Sequence, residues 1–125
     1  MFRIHGFVWD SGKFSTLDYP LPNTYTLLWA VNKQGQILGE YVTFDPATNE
    51  TLAQKWFIYD NGTFILDFPE SLESIGSPAI FLSDLNNAGQ IAGLRSNGGS
   101  DWNGMFVYQS GVFRDVIAPT PMYVV

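Results

Sequence analysis

Few side chains in this sequence could carry out chemistry. His5 is the single histidine in 125 residues. A Ser–His–Asp relay would need it, but it lies beside the first strand near a terminus, where a fixed geometry is hard to hold. It reads as a surface or strand-end residue. Paired carboxylates could run glycoside hydrolysis, and Asp10 and Asp60, like Asp18 and Asp67, fall at equivalent places in a repeated pattern. Recurrence at equivalent places argues for turn capping, not catalysis. The run Asp84-Leu85-Asn86-Asn87-Ala88-Gly89 spaces oxygen-bearing side chains somewhat as a calcium loop does, with glycine sixth. Its fifth position is Ala88 and its closing bidentate position falls on Arg95, so it cannot supply roughly six to eight oxygens. No catalytic residue, no metal site and no cofactor is expected, and the chain reads as a non-enzyme.

Aromatic side chains on loops are the other candidates, because a ring can stack on the apolar C–H face of a sugar. Trp102 stands out within Gly98-Gly99-Ser100-Asp101-Trp102-Asn103-Gly104, with the Asp101 carboxylate beside it as a hydrogen-bond acceptor. Trp29 aligns with Ser83 in the other copy of its motif and falls on an innermost strand, where it could line the centre of an assembly or simply pack. Trp102, Asp101 and Trp29 are therefore the candidate ligand-binding residues, and a glycan is the ligand class they suggest. Trp9 and Trp56 belong to repeated apolar runs and read as core.

Composition narrows the partners. Hydrophobic residues make up 46% and aromatics 16%, with 14% charged, too apolar for a disordered chain. Net charge is −6. The cations Arg3, Lys13, Lys33, Lys55, Arg95 and Arg114 are scattered singly, whereas a polyanion binder needs a basic stripe, so no nucleic acid is expected. No apolar run approaches the roughly 18 residues of a spanning helix, so no membrane insertion is expected. The stretch from Met1 to Gly6 has no apolar core of a leader peptide. With no cysteine, disulfides, thiol nucleophiles and thiolate metal sites are excluded.

The elements that would position any site form a repeat. Gly6-Phe7-Val8-Trp9-Asp10-Ser11-Gly12-Lys13-Phe14 returns as Trp56-Phe57-Ile58-Tyr59-Asp60-Asn61-Gly62-Thr63-Phe64 and again as Met105-Phe106-Val107-Tyr108-Gln109-Ser110-Gly111-Val112-Phe113. A second motif alternates with it: Val31-Asn32-Lys33-Gln34-Gly35-Gln36-Ile37-Leu38-Gly39 returns as Leu85-Asn86-Asn87-Ala88-Gly89-Gln90-Ile91-Ala92-Gly93. Both read as β-hairpins. Asn61-Gly62 suits a type I′ turn, whose two central residues need positive φ. In Asn-x-x-Gly, the glycine can take the left-handed position and the asparagine side chain can bond the turn backbone. Five hairpins and about ten strands follow.

Phe7-Val8-Trp9, Trp56-Phe57-Ile58-Tyr59 and Phe106-Val107-Tyr108 are continuously apolar, and a strand apolar on both faces is covered on both. Four antiparallel strands per unit of roughly fifty residues, stacked face to face, describe a β-propeller blade. The expected fold is all-β, with propeller-like stacked four-stranded blades in an incomplete array of about two and a half repeats; a β-sandwich is the alternative. A single repeat domain over 1–125 would hold a half repeat at 5–18, repeats at 26–68 and 79–116, and a tail at 117–125. The variable loops fall at about 19–25, 43–55, 69–78 and 96–104, the places where such scaffolds acquire binding function.

These alternating motifs resemble the HAF repeats of bacterial extracellular proteins, in which a Gly-Phe-aromatic-x-Asn/Ser-Gly-x-Phe hairpin alternates with an Asn-x-x-Gly-Gln-Ile/Val-x-Gly hairpin. The likeness covers about residues 5–117. It implies a propeller-like fold and an extracellular or cell-surface setting, and no reaction. About four to eight blades close a ring, so the array is too short to close alone. Its open sheet edges point to a homo-oligomer or a fibre, or to blades supplied by the rest of a longer chain, with the apolar ending Met122-Tyr123-Val124-Val125 as a further strand to add to a neighbour. The leading expectation is a structural, self-associating repeat module. The other is a lectin-like carbohydrate-binding module.

Overall fold

The computed structural model describes residues 3–65, 79–96 and 104–116. It is all-β, with ten strands in three antiparallel sheets of two, four and four strands and no helix among the described residues. No sheet closes on itself among them. The chain divides into two compact units, Met1–Phe68 and Pro69–Val125.

The first unit opens with a hairpin of β1 (Gly6–Asp10) and β2 (Lys13–Leu17). A four-stranded meander follows: β3 (Thr24–Val31), β4 (Ile37–Phe44), β5 (Thr51–Asp60) and β6 (Thr63–Ile65), each paired with the next. The second unit is another such meander, of β7 (Ala79–Leu85), β8 (Ile91–Ser96), β9 (Gly104–Gln109) and β10 (Val112–Val116).

Turn chemistry makes each hairpin. Ser11-Gly12, Asn61-Gly62 and Ser110-Gly111 all have positive φ at both central positions, as type I′ demands. In the second motif, Gly35 and Gly89 take φ of 79° and 78°. The Asn32 carboxamide oxygen accepts the Gln34 and Gln36 amides, and that of Asn86 accepts the Ala88 and Gln90 amides. The side chain thus satisfies backbone donors that a tight turn would leave bare.

Register then decides what is buried. In the first meander, Gly39 stands opposite Phe57 and Ile37 opposite Tyr59; in the second, Gly93 stands opposite Phe106 and Ile91 opposite Tyr108. Leu38 and Phe57 are fully enclosed, as are Leu82 and Phe106, each stabilising by about 2–3 kcal/mol through area removed from water. Strand β4 is buried along nearly its whole length, which fits a strand covered on both faces.

Within the first unit, the β1–β2 hairpin approaches β3. The Thr26 amide donates to the Ile4 carbonyl, and a Cβ on Gly6 would meet the Leu28 side chain at 2.8 Å. Behind the hairpin, the Tyr19 ring lies on the sheet, stacked on Tyr41 at 3.9 Å and 11° and edge-on to Phe64.

Three expectations need correction. Trp9 is 60% exposed, not core, because the outer edge of its strand has no neighbour among the described residues. Residues 51–55 are not loop: they extend β5, where Gln54 and Ala53 pair with Val42 and Thr43. Residues 24–25 likewise begin β3, paired with Thr43 and Val42.

Candidate functional site

The side chains singled out by chemistry resolve into local structural roles. His5 Nδ1 lies 2.6 Å from Asp18 Oδ2, and Asp18 Oδ1 accepts the Gly6 amide. Asp18 thereby ties the base of the first hairpin to the segment before it. Asp60 accepts the Gln36 carboxamide at 3.1 Å, and Asp10 accepts the hydroxyl of Ser11. Asp84 accepts the adjacent Leu85 amide, and with Asn86 aimed at its own turn, these two side chains direct oxygens at backbone N–H groups. No group of three or more His, Cys, Asp or Glu side chains gathers into a metal site among the described residues.

Trp29 lies on β3 where the pairing with β4 is interrupted between Leu28 and Ala30. Its indole N–H donates to Glu40 at 3.0 Å, and its ring is 6.3 Å from that of Trp56. Glu40 is buried, and Gln54 donates to its other oxygen, so the carboxylate is held by donors from the strands on either side. The matching interruption in the second meander falls between Leu82 and Asp84, where Ser83 donates its hydroxyl to the Ala92 carbonyl. Both copies therefore use the bulged residue to bond the next strand. With its polar edge engaged, Trp29 is 41% exposed. Trp102 and Asp101 lie outside the described residues, as do Asp67 and the tail at 117–125.

A shallow recess of about 350 Å³ on β9 and β10 is lined by Val107, Gln109, Ser110, Val112 and Arg114. It is open to solvent and offers no convergent set of polar groups.

The feature that sets one region apart is the first hairpin. Phe7, Trp9 and Phe14 are 66%, 60% and 72% exposed. At the same motif positions elsewhere Phe57 is 0% exposed, Phe106 2% and Tyr108 3%, while Tyr59, Phe64 and Phe113 are half-buried. Phe7 and Phe14 touch at 5.8 Å, as Phe57 and Phe64 do at 5.2 Å and Phe106 and Phe113 at 5.2 Å. The hairpin is built alike in all three copies and lacks its cover in one. In the complete meanders β5 and β9 each have a neighbour on both edges, whereas among the described residues β1 pairs with β2 alone. The sequence carries three copies of the first motif and two of the second.

No family model, curated protein or solved structure matches the chain.

Proposed function

We propose that this chain is a non-enzymatic structural module of propeller-like repeats that self-associates through an open sheet edge. The observation that carries this reading is the exposure of Phe7, Trp9 and Phe14 on a hairpin whose first strand has one edge unpaired among the described residues. Aromatic side chains bury more apolar area than other residues, and three of them on one small hairpin favour contact with protein over contact with water. Two of the other edges are defended: β6 is three residues long, and β10 carries Arg114 and Asp115, the short and charged edges that resist pairing. Strands β3 and β7 also lie at sheet edges, without the three exposed aromatic rings of the first hairpin.

Two further features support blades stacked as in a propeller. Each complete repeat is a four-stranded meander, and the hairpin backbone at Gly6 packs close to Leu28 on β3. The resemblance to HAF repeats favours an extracellular or cell-surface setting.

Light scattering coupled to size-exclusion chromatography, run over a wide range of concentration, tests the reading. A discrete multimer or open-ended growth is the expected result. A stable 14.0 kDa monomer at every concentration would overturn it.

A further inference from the structure

We infer that the outer edge of β1 is a strand-acceptor site whose occupant is a β-strand of the pattern Gln-Ile-any-Gly, presented by an inner hairpin of the second-motif type. This rests on the assembly reading and names the partner that the open edge selects.

Backbone geometry fixes which groups are on offer. A two-residue type I′ turn makes its flanking pair, Asp10 and Lys13, a hydrogen-bonded pair. Alternation along an antiparallel ladder then turns Asp10, Val8 and Gly6 towards β2 and directs the amide and carbonyl groups of Trp9 and Phe7 outward. The equivalent residues in the complete sheets have partners. Tyr59 and Phe57 stand opposite Ile37 and Gly39, and Tyr108 and Phe106 opposite Ile91 and Gly93. Two independent copies thus place isoleucine and glycine, two residues apart, on the strand that β1 lacks. Strand β2 corresponds to β6 and β10, each the last strand of its own sheet, so within the first hairpin it is β1 whose counterparts, β5 and β9, have a second neighbour.

Side chains sharpen the selection. A Cβ on Gly39 would fall 2.4 Å from the tip of the Phe57 ring, and one on Gly93 2.6 Å from that of Phe106. In both copies the phenylalanine lies across the glycine, so Phe7 calls for glycine opposite it. The glutamine before the isoleucine also recurs in its contact: Gln36 donates its carboxamide to Asp60 at 3.1 Å, and Gln90 donates to Gln109 at 3.3 Å. Asp10 holds that acceptor position on β1. The occupant is therefore read at three points, with glycine against Phe7, isoleucine beside Trp9 and glutamine on Asp10.

A second copy of the chain can supply such a strand only by exchange. Its two strands of this pattern, β4 and β8, are each paired on both edges and would have to leave their own sheets.

The test is amide exchange followed by NMR on the full chain, titrated with a synthetic peptide of residues 24–45. The expected result is a saturable one-to-one complex in which the Phe7 and Trp9 amides gain protection while those of Val8 and Asp10 change little. Gly39→Val in the peptide should weaken binding about tenfold or more by forcing a side chain against Phe7. Gln36→Ala should weaken it about fivefold, and that loss should shrink when the chain carries Asp10→Ala. No gain at Phe7 and Trp9, or equal binding by the Gly39→Val peptide, overturns the inference. Protection of both amides in the peptide-free multimer by any strand other than β4 or β8, read from intermolecular NOEs, also overturns it, and the assembly reading then stands. A chain that is always monomeric yet binds the peptide in this register keeps the acceptor and ends the self-association.

Discussion

The β1–β2 and β9–β10 hairpins are nearly the same object locally and opposite objects globally. Their turns coincide to within a degree, with φ of 51° and 84° at Ser11-Gly12 against 51° and 85° at Ser110-Gly111. Each carries its aromatic pair across the strands. Yet Phe106 and Tyr108 are enclosed while Phe7 and Trp9 face solvent. The turn and the cross-strand contacts are properties of a dozen residues, whereas burial belongs to the neighbours that arrive from elsewhere. A repeat motif therefore encodes a hairpin that forms anywhere and a surface that is complete only in an array.

The most forceful way to break that comparison is to remove the same ring from both environments. Phe57→Ala should cost about 3–5 kcal/mol, as for other fully buried aromatics. Phe7→Ala should stay within about 0.5 kcal/mol where the chain is dilute enough to be monomeric, as for an exposed side chain. Urea unfolding of the two variants measures both. A large loss at Phe7 in the monomer would mean that the hairpin is covered after all, and the contrast would disappear.

A smaller effect sharpens the account of why the cover must be of one kind. Gly39→Ala adds a single methyl group under the Phe57 ring and should cost about 1–3 kcal/mol as an overpacked site. The penalty should fall in a Phe57→Ala background, because the two residues then no longer compete for the same space. An undiminished penalty in the double variant would place the strain in the backbone, where the Leu27 carbonyl also lies within 2.9 Å of the added carbon.

Much of this arrangement is legible in the sequence because hairpins are local. Asn61-Gly62 dictates its turn by φ alone, and Asn32 and Asn86 carry the acceptors that their own turns need. The alternation of the two motifs gives the strand order of each meander. What is not legible depends on residues far apart in the chain. Trp29 and Ser83 occupy the same bulge and both donate to the next strand, but as side chains so unlike that the alignment does not announce it. Glu40 is buried because Trp29 and Gln54 reach it from different strands, and no spacing announces that. Trp9 reads as core from its apolar run, but the run says only that it wants a neighbour, not that one is present. Of the candidate ligand-binding residues, Trp29 is accounted for by its bond to Glu40, while Trp102 and Asp101 fall outside the described residues.

Tyr19 supplies the gentlest test, because it shows what a loop residue does when it covers a first-motif face. Its ring rests on Tyr41, Phe57 and Phe64, a cover that Phe7 and Trp9 lack. Burial pushes its phenol above the ordinary value of 10.0, and the neighbouring Tyr41 raises it further, with Lys55 opposing. The folded state therefore holds this proton more tightly than the unfolded chain does. Its contribution to stability is complete below pH 10 and declines as pH rises through and beyond that value, because unfolding then releases a proton. Tyr19→Phe has no proton to lose, so its stability should fall less than that of the parent between pH 8 and pH 11, with the remaining tyrosines common to both. Urea midpoints at the two pH values measure the difference. Parallel declines would mean that the Tyr19 hydroxyl stays in water, and the loop would then be no model for the missing cover of the first hairpin.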